Sequence, residues 1–152
     1  MDVSIRPSTI DDAAYLAPRL READRIEIDA FSDATPDSAL LRGLSGDTCL
    51  TGTVDDRPVC MFGFGRTSLI SPIGIPWLLG TDEVRSIPKT FLIKSREIVN
   101  RARQRYALLE NWVDSENAIS IRWLRWLGFS IETANPIERK GRSFYRFTIG
   151  GA

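Results

Sequence analysis

Histidine is absent from the 152 residues. That removes the Ser-His-Asp and Cys-His nucleophile systems and the common zinc sites that use imidazole. Any chemistry must run on carboxylates, tyrosine, lysine, a bare thiol or a bound cofactor. Cysteine is scarce: Cys49 and Cys60 are too few for a disulfide scaffold. They read as two buried thiols of a reducing compartment, even if they fall on paired strands. Lysine is limited to Lys89, Lys94 and Lys140, so arginine supplies nearly all of the 20 basic residues. Arginine suits ion pairs and bidentate contacts to carboxylate or phosphate. Twenty acidic residues cancel the twenty basic ones, so no global field draws the chain to nucleic acid or a membrane. No window reaches the apolar length of a membrane span. The start "MDVSIRPST" lacks the basic residues and apolar run of a secretory leader. The chain is therefore expected not to be secreted and to have no transmembrane segment.

What is present fits one globular domain over residues 1–152, with 43% hydrophobic residues. "VSIRP" alternates and predicts a first strand. In "STIDDAAYLA", Thr9 is an N-cap candidate and Asp12 completes a capping box. Pro18 ends that helix or begins the next, and "RLREADRIEIDAF" continues as a charged amphipathic helix. "TPDSALLRGL" predicts a short helix capped by Thr35 with Pro36 in its first turn. "DTCLTGTV" and "PVCMFGFG" form a hairpin through "DDR". "TSLISPIG" reads as a loop and "IPWLLGT" as a short buried strand. "KTFLIKSREIVNRARQRY" is the clearest helix, with Phe91, Ser95, Ile98, Val99, Ala102 and Tyr106 on one face. "LLENWV" is a strand, "NAISIRWLRWLGF" a helix closed by Gly128, and "SFYRFTI" a closing strand. Mixed α/β (α+β) follows, a central sheet of about six to seven strands flanked by helices. A parallel crossover is expected around the long helix.

"IRPSTIDDA" and "WVDSENAISIRWLRWLGF" resemble the opening and the late segment of the GNAT (Gcn5-related N-acetyltransferase) fold. "IRP", "PWLLGTDEV", "ENWVDSENAISIRWLRWLGF" and "FYRFTI" are similar to small GNAT-like proteins of short-tailed bacteriophages and prophages, which include an internal virion protein that helps assemble the particle core. The resemblance implies a virion structural or assembly component in the virion or host cytoplasm, partnered by core or portal proteins. It leaves an acyl-CoA-dependent N-acetyltransferase as the alternative, with acetyl-CoA as its cofactor.

The enzyme reading makes three demands. Members of the family hold the coenzyme A pyrophosphate on a Gly-rich loop before the long helix, where bare amides converge on phosphate. The equivalent "TDEVRSIPKTF" has no glycine, carries Asp82 and Glu83, and includes Pro88, which has no N–H. Only Arg85 and Lys89 offer compensation. The resemblance also implies a tyrosine proton donor seven residues after Asn117, where Leu124 stands. A base for the amine could come from Glu110 or Asp114, near the strand before the late helix; Glu116, Asp82 and Glu83 are alternatives. Asn117 matches the family residue that contacts coenzyme A, and is equally an ordinary N-cap. Ile121, Leu124 and Phe129 are expected to face the sheet. Arg122, Trp123, Arg125 and Trp126 form a protein-interaction candidate, since Trp beside Arg is hot-spot composition. On the virion reading no cofactor and no acetyltransferase activity are expected. No metal site is expected, and nucleic-acid contact through Arg101, Arg103 and Arg105 lacks an aromatic platform.

Overall fold

The computed structural model describes residues 2–86 and 88–150. The elements run β1 (Val3–Pro7), α1 (Ile10–Leu16), a 3-10 turn (Ala17–Arg19), α2 (Glu22–Phe31), α3 (Pro36–Leu44), β2 (Thr48–Val54) and β3 (Arg57–Gly65). They continue with β4 (Ile73–Gly80), a second 3-10 turn (Asp82–Ser86), α4 (Lys89–Arg105), β5 (Leu108–Asp114), α5 (Ala118–Leu127), β6 (Ser130–Arg139) and β7 (Arg142–Gly150). The strands form a seven-stranded sheet in the order β1-β2-β3-β4-β5-β7-β6. This is the expected mixed α/β class. The residues group into two compact units, Met1–Gly65 with Pro76–Phe91 and Arg66–Ile75 with Leu92–Ala152.

In the first unit, two helix starts follow from local chemistry. Thr9 accepts from the Asp12 amide while the Asp12 carboxylate accepts from the Thr9 amide, so both capping-box bonds form. Thr35 and Ser38 repeat the arrangement at α3, with Pro36 in the first turn. The β2–β3 hairpin turns on Asp55 and Asp56, at φ 49° and 63°. Two left-handed residues match the twist of the strands, and Asp tolerates that conformation. Arg57 is already in β3. Ala13, Leu16, Ala17, Leu20, Leu40 and Met61 form the core, packed against Tyr15, Trp77 and Leu79. Burying each large apolar side chain is worth about 1.5–3 kcal/mol before ordering costs. Phe91, at the start of α4, sits edge-on to Phe62 at 5.8 Å. Cys49 lies opposite Gly63 and Cys60 opposite Gly52, so the two are not cross-strand partners. Both are free thiols, and full burial pushes the Cys60 thiol up to about 12.

In the second unit, Ile73 and Gly74 of β4 pair in parallel with Leu108 and Leu109 of β5. Strand β4 thus begins inside the segment expected as a loop. Gly74 is required there: a Cβ would lie 2.7 Å from the Tyr106 ring and 2.8 Å from Leu109. Strand β7 is antiparallel to β5 and to β6. Strand β6 was not anticipated. Eight of its ten residues are exposed, Pro136 interrupts it and its register shifts between Glu132 and Ile137. An edge strand with no buried face carries no period-two signal, and bulge plus proline blunt it against further pairing. Phe129 and Phe147 meet edge-on at 5.2 Å, near the end of α5 where Gly128 takes φ 105° as the expected cap. Along α4, Phe91, Ser95, Val99, Ala102 and Tyr106 are buried as expected, and Ile98 is half-buried. No helix among the described residues is long and apolar enough to cross a membrane.

Candidate functional site

The described residues between Gly80 and Lys89 lie in the first unit, and several of their amides are already bonded within it. The Thr81 amide donates to the Val59 carbonyl at 2.9 Å and the Val84 amide to the Thr81 carbonyl at 3.1 Å. The Glu83 amide donates to the Thr81 hydroxyl at 3.2 Å. These three amides are engaged inside the protein and are not available to an outside anion. Glu83 is held by Arg57 at 2.9 Å, which offsets one of the two carboxylates that would repel phosphate. Arg85 and Lys89 are exposed and make no ion pair among the described residues. The first turn of α4 contains no acidic residue. The described residues of the segment thus offer two exposed cations near a helix start.

In the second unit, Asn117 caps α5: its side-chain carbonyl accepts from the Ser120 amide at 3.2 Å, the ordinary N-cap geometry. Leu124, in the expected donor position, is half-buried. Leu127 and Phe129 are the buried residues at this end of α5, whereas Ile121 and Leu124 are only half-buried. Phe129 is buried as expected, and Leu127 shares the face of Leu124 at i, i+3 spacing. Arg122 and Arg125 are exposed, and Trp123 and Trp126 half-buried. Trp126 is covered by the Arg96 guanidinium at 3.7 Å, which also donates to the Trp126 carbonyl. The Trp123 indole N–H is buried without a partner among the described residues. The four residues are thus brought together on one helix, with one indole already stacked internally.

Register decides the two candidate bases. Strand β7 runs antiparallel to β5, with Arg146 opposite Trp112 and Phe144 opposite Asp114. Arg146 grips Glu110 through one carboxylate oxygen, Oε2, at 2.7 Å from its Nε. The other oxygen makes no hydrogen bond among the described residues. Asp114 is buried. Its Oδ2 accepts from Arg142 at 2.6 Å and its Oδ1 from the Glu116 amide at 2.9 Å. Glu116 in turn meets Arg142 at 3.0 Å. Both oxygens of Asp114 are thus engaged, whereas Glu110 keeps one oxygen without a hydrogen bond among the described residues. Tyr106 is buried beside Arg66 and Arg105, 5.7 Å and 5.4 Å from its ring centroid. No cluster of metal-ligating side chains occurs among the described residues.

One charged pair escaped sequence reasoning. Asp24, on α2, is fully buried. It accepts from Arg21 Nε at 2.9 Å and from the Gly80 amide at 2.8 Å. The only available signal was the i, i+3 spacing of Arg21 and Asp24, which is common on solvated helices.

No family model matches the chain, and no curated protein matches it. Solved structures do, over their full length. An N-acetyltransferase from Staphylococcus aureus Mu50 superposes with a TM-score of 0.73 at 12% identity, covering 99% of each chain. A ribosomal-protein-alanine N-acetyltransferase from Brucella melitensis gives 0.68 at 16% identity, over 97% of this chain and 99% of that one. An acetyltransferase from Bacillus subtilis in complex with CoA gives 0.60 at 13% identity, over 99% and 98%. The chain has the GNAT acetyltransferase fold.

Proposed function

We propose that the chain is an acyl-CoA-dependent N-acyltransferase whose diphosphate grip rests on side chains in place of backbone amides. The observation that carries this reading is the end-to-end likeness to N-acetyltransferases, one of them in complex with CoA. Arg85 and Lys89 supply positive charge at the start of α4, where an anion also gains from the helix dipole. Asn117 would contact the pantetheine arm. Bound acyl-CoA would supply an activated thioester to an attacking amine. Glu110, through its unoccupied oxygen, would take the amine proton as the C–N bond forms and the C–S bond breaks, and the departing CoA thiolate would take its proton from solvent because Leu124 cannot donate one; the absence of a Ser-His or Cys-His system leaves direct attack as the route. The test is acetyl-CoA turnover with an amine panel in wild type and in Arg85→Ala plus Lys89→Ala. Loss of turnover in the double variant supports the assignment; an unchanged rate eliminates it.

A second reading is favoured by one specific observation, the engagement of the Glu83 and Val84 amides by Thr81 and of the Thr81 amide by the Val59 carbonyl, joined by Leu124 in the donor position. On this reading the fold is retained without catalysis, as in a phage core-assembly component, and the α5 face of Arg122, Trp123, Arg125 and Trp126 meets other virion proteins. Calorimetry separates the two. Micromolar acetyl-CoA binding supports the enzyme reading; no heat at millimolar ligand supports the assembly reading. Co-purification with core or portal proteins of a phage expressed alongside would then identify the partner.

A further inference from the structure

We infer that Asp24 is a positioning residue: with Arg21 it clamps Gly80, the root of the segment bearing Arg85 and Lys89, and so sets where those cations stand. The inference rests on the acyl-CoA reading, and its test below separates the failure of one from the failure of the other. Both polar backbone groups of Gly80 are held by the same turn of α2. Its amide donates to Asp24 Oδ2 at 2.8 Å, and its carbonyl accepts from the Arg21 amide at 2.8 Å. Asp24 Oδ2 also receives Arg21 Nε at 2.9 Å. Sterics close the remaining side: a Cβ on Gly80 would come within 2.7 Å of Val84 Cγ1 and 3.0 Å of Cys60 Cβ. The next residue is tied as well, since the Thr81 amide donates to the Val59 carbonyl. From this fixed root the chain passes through the 3-10 turn that carries Arg85.

The energetics point away from a purely stabilising role. Asp24 and Arg21 are both buried, and desolvating two charges offsets most of their attraction, so such pairs contribute little net stability. Asp24 Oδ1 has no donor among the described residues. Burial pushes the Asp24 carboxyl up from its ordinary value, with Arg21 and the Gly80 amide acting against that. An apolar residue would be easier to bury at this place. What an apolar residue cannot do is accept the Gly80 amide.

The experiment combines amide hydrogen exchange over residues 81–86 with acetyl-CoA affinity and turnover, in wild type, Asp24→Ala and Asp24→Asn. Asn keeps an acceptor for the Gly80 amide and serves as the conservative rescue. Expected for Asp24→Ala is exchange in 81–86 faster by about tenfold or more. KM for acetyl-CoA should rise by about tenfold with kcat within about twofold, and Asn should restore most of both. Faster exchange with unchanged KM overturns the positioning role, and unchanged exchange overturns the clamp itself. If wild type neither binds nor turns over acetyl-CoA, the acyl-CoA reading fails and the positioning role falls with it, while the exchange arm still reports on the clamp. Should Asp24→Ala not fold, Arg21→Gln takes its place: it leaves both hydrogen bonds of Gly80 in place, so exchange over 81–86 and KM should stay within about twofold of wild type, and faster exchange with raised KM would overturn the Gly80 clamp as the positioning element.

Discussion

The starts of α1 and α4 solve the same problem in opposite ways. At α1 the exposed amides and the positive end of the dipole are met by the chain's own acid. Asp12 accepts from the Thr9 amide at 2.9 Å, from Arg6 through both oxygens at 2.7 and 2.8 Å, and from the Thr51 hydroxyl at 2.9 Å. Burial alone would raise this carboxyl. The hydrogen bonds from Arg6, the Thr9 amide and Thr51 outweigh it and hold Asp12 down at about 2. At α4 the first turn has no acid, and the exposed charges before it and at its first residue are Asp82, Glu83, Arg85 and Lys89, with Glu83 paired to Arg57. A helix start neutralised from within has no use for a foreign anion. One flanked by cations still attracts an anion even when nearby amides are engaged, because side-chain charge reaches further than an N–H dipole.

The largest effect expected from this comparison is at the closed end. Asp12→Ala removes the box and leaves the buried Thr51 hydroxyl with one partner fewer; the loss should be about 3 kcal/mol in urea unfolding. A loss under about 1 kcal/mol would mean the network is decorative. Acid probes the same site without mutation. A carboxyl held below its unfolded value contributes stability that is present above about pH 4 and lost as pH falls toward 2, on the order of 2 kcal/mol. Denaturation between pH 5 and 2 should show that loss in wild type and much less of it in Asp12→Asn.

At the open end the effects fall on ligand and not on folding. Arg85→Ala plus Lys89→Ala should weaken acetyl-CoA binding about tenfold, or about 1.4 kcal/mol, and move the melting temperature by less than about 2 °C, since both side chains are exposed. A smaller effect of opposite sign sharpens the contrast. Glu83→Gln frees Arg57 and removes a negative charge beside the cations, so acetyl-CoA should bind about twofold tighter at low salt, an advantage that added salt erases. A Glu83→Gln protein that binds more weakly would show the carboxylate to be part of the site's framework.

Local chemistry along the chain was enough for the capped helices and the tight turn. Thr9 with Asp12, Thr35 with Pro36, Asn117 with Gly128 and the paired aspartates of the hairpin act within four residues of themselves, so composition and spacing announce them. The lack of glycine between Thr81 and Phe91 was legible directly from the sequence. Strand β6 was not legible, because a strand with no buried face leaves no pattern. Nor were the partners of the charged residues. Glu110 and Asp114 stood as candidate bases, with Glu116, Asp82 and Glu83 as alternatives, and Asp24 lay in a stretch read only as a charged amphipathic helix.

Pairing across the sheet and burial against it settled these cases. The β5–β7 register brings Arg146 to Glu110 and Arg142 to Asp114, and the packing of α2 brings Asp24 to the Gly80 amide 56 residues away. Charge identity is written residue by residue, but which charge neutralises which depends on contacts between distant segments and on the water removed around them. For that reason helix ends and turns could be read from the chain alone, whereas the state of every candidate acid waited for the three-dimensional arrangement.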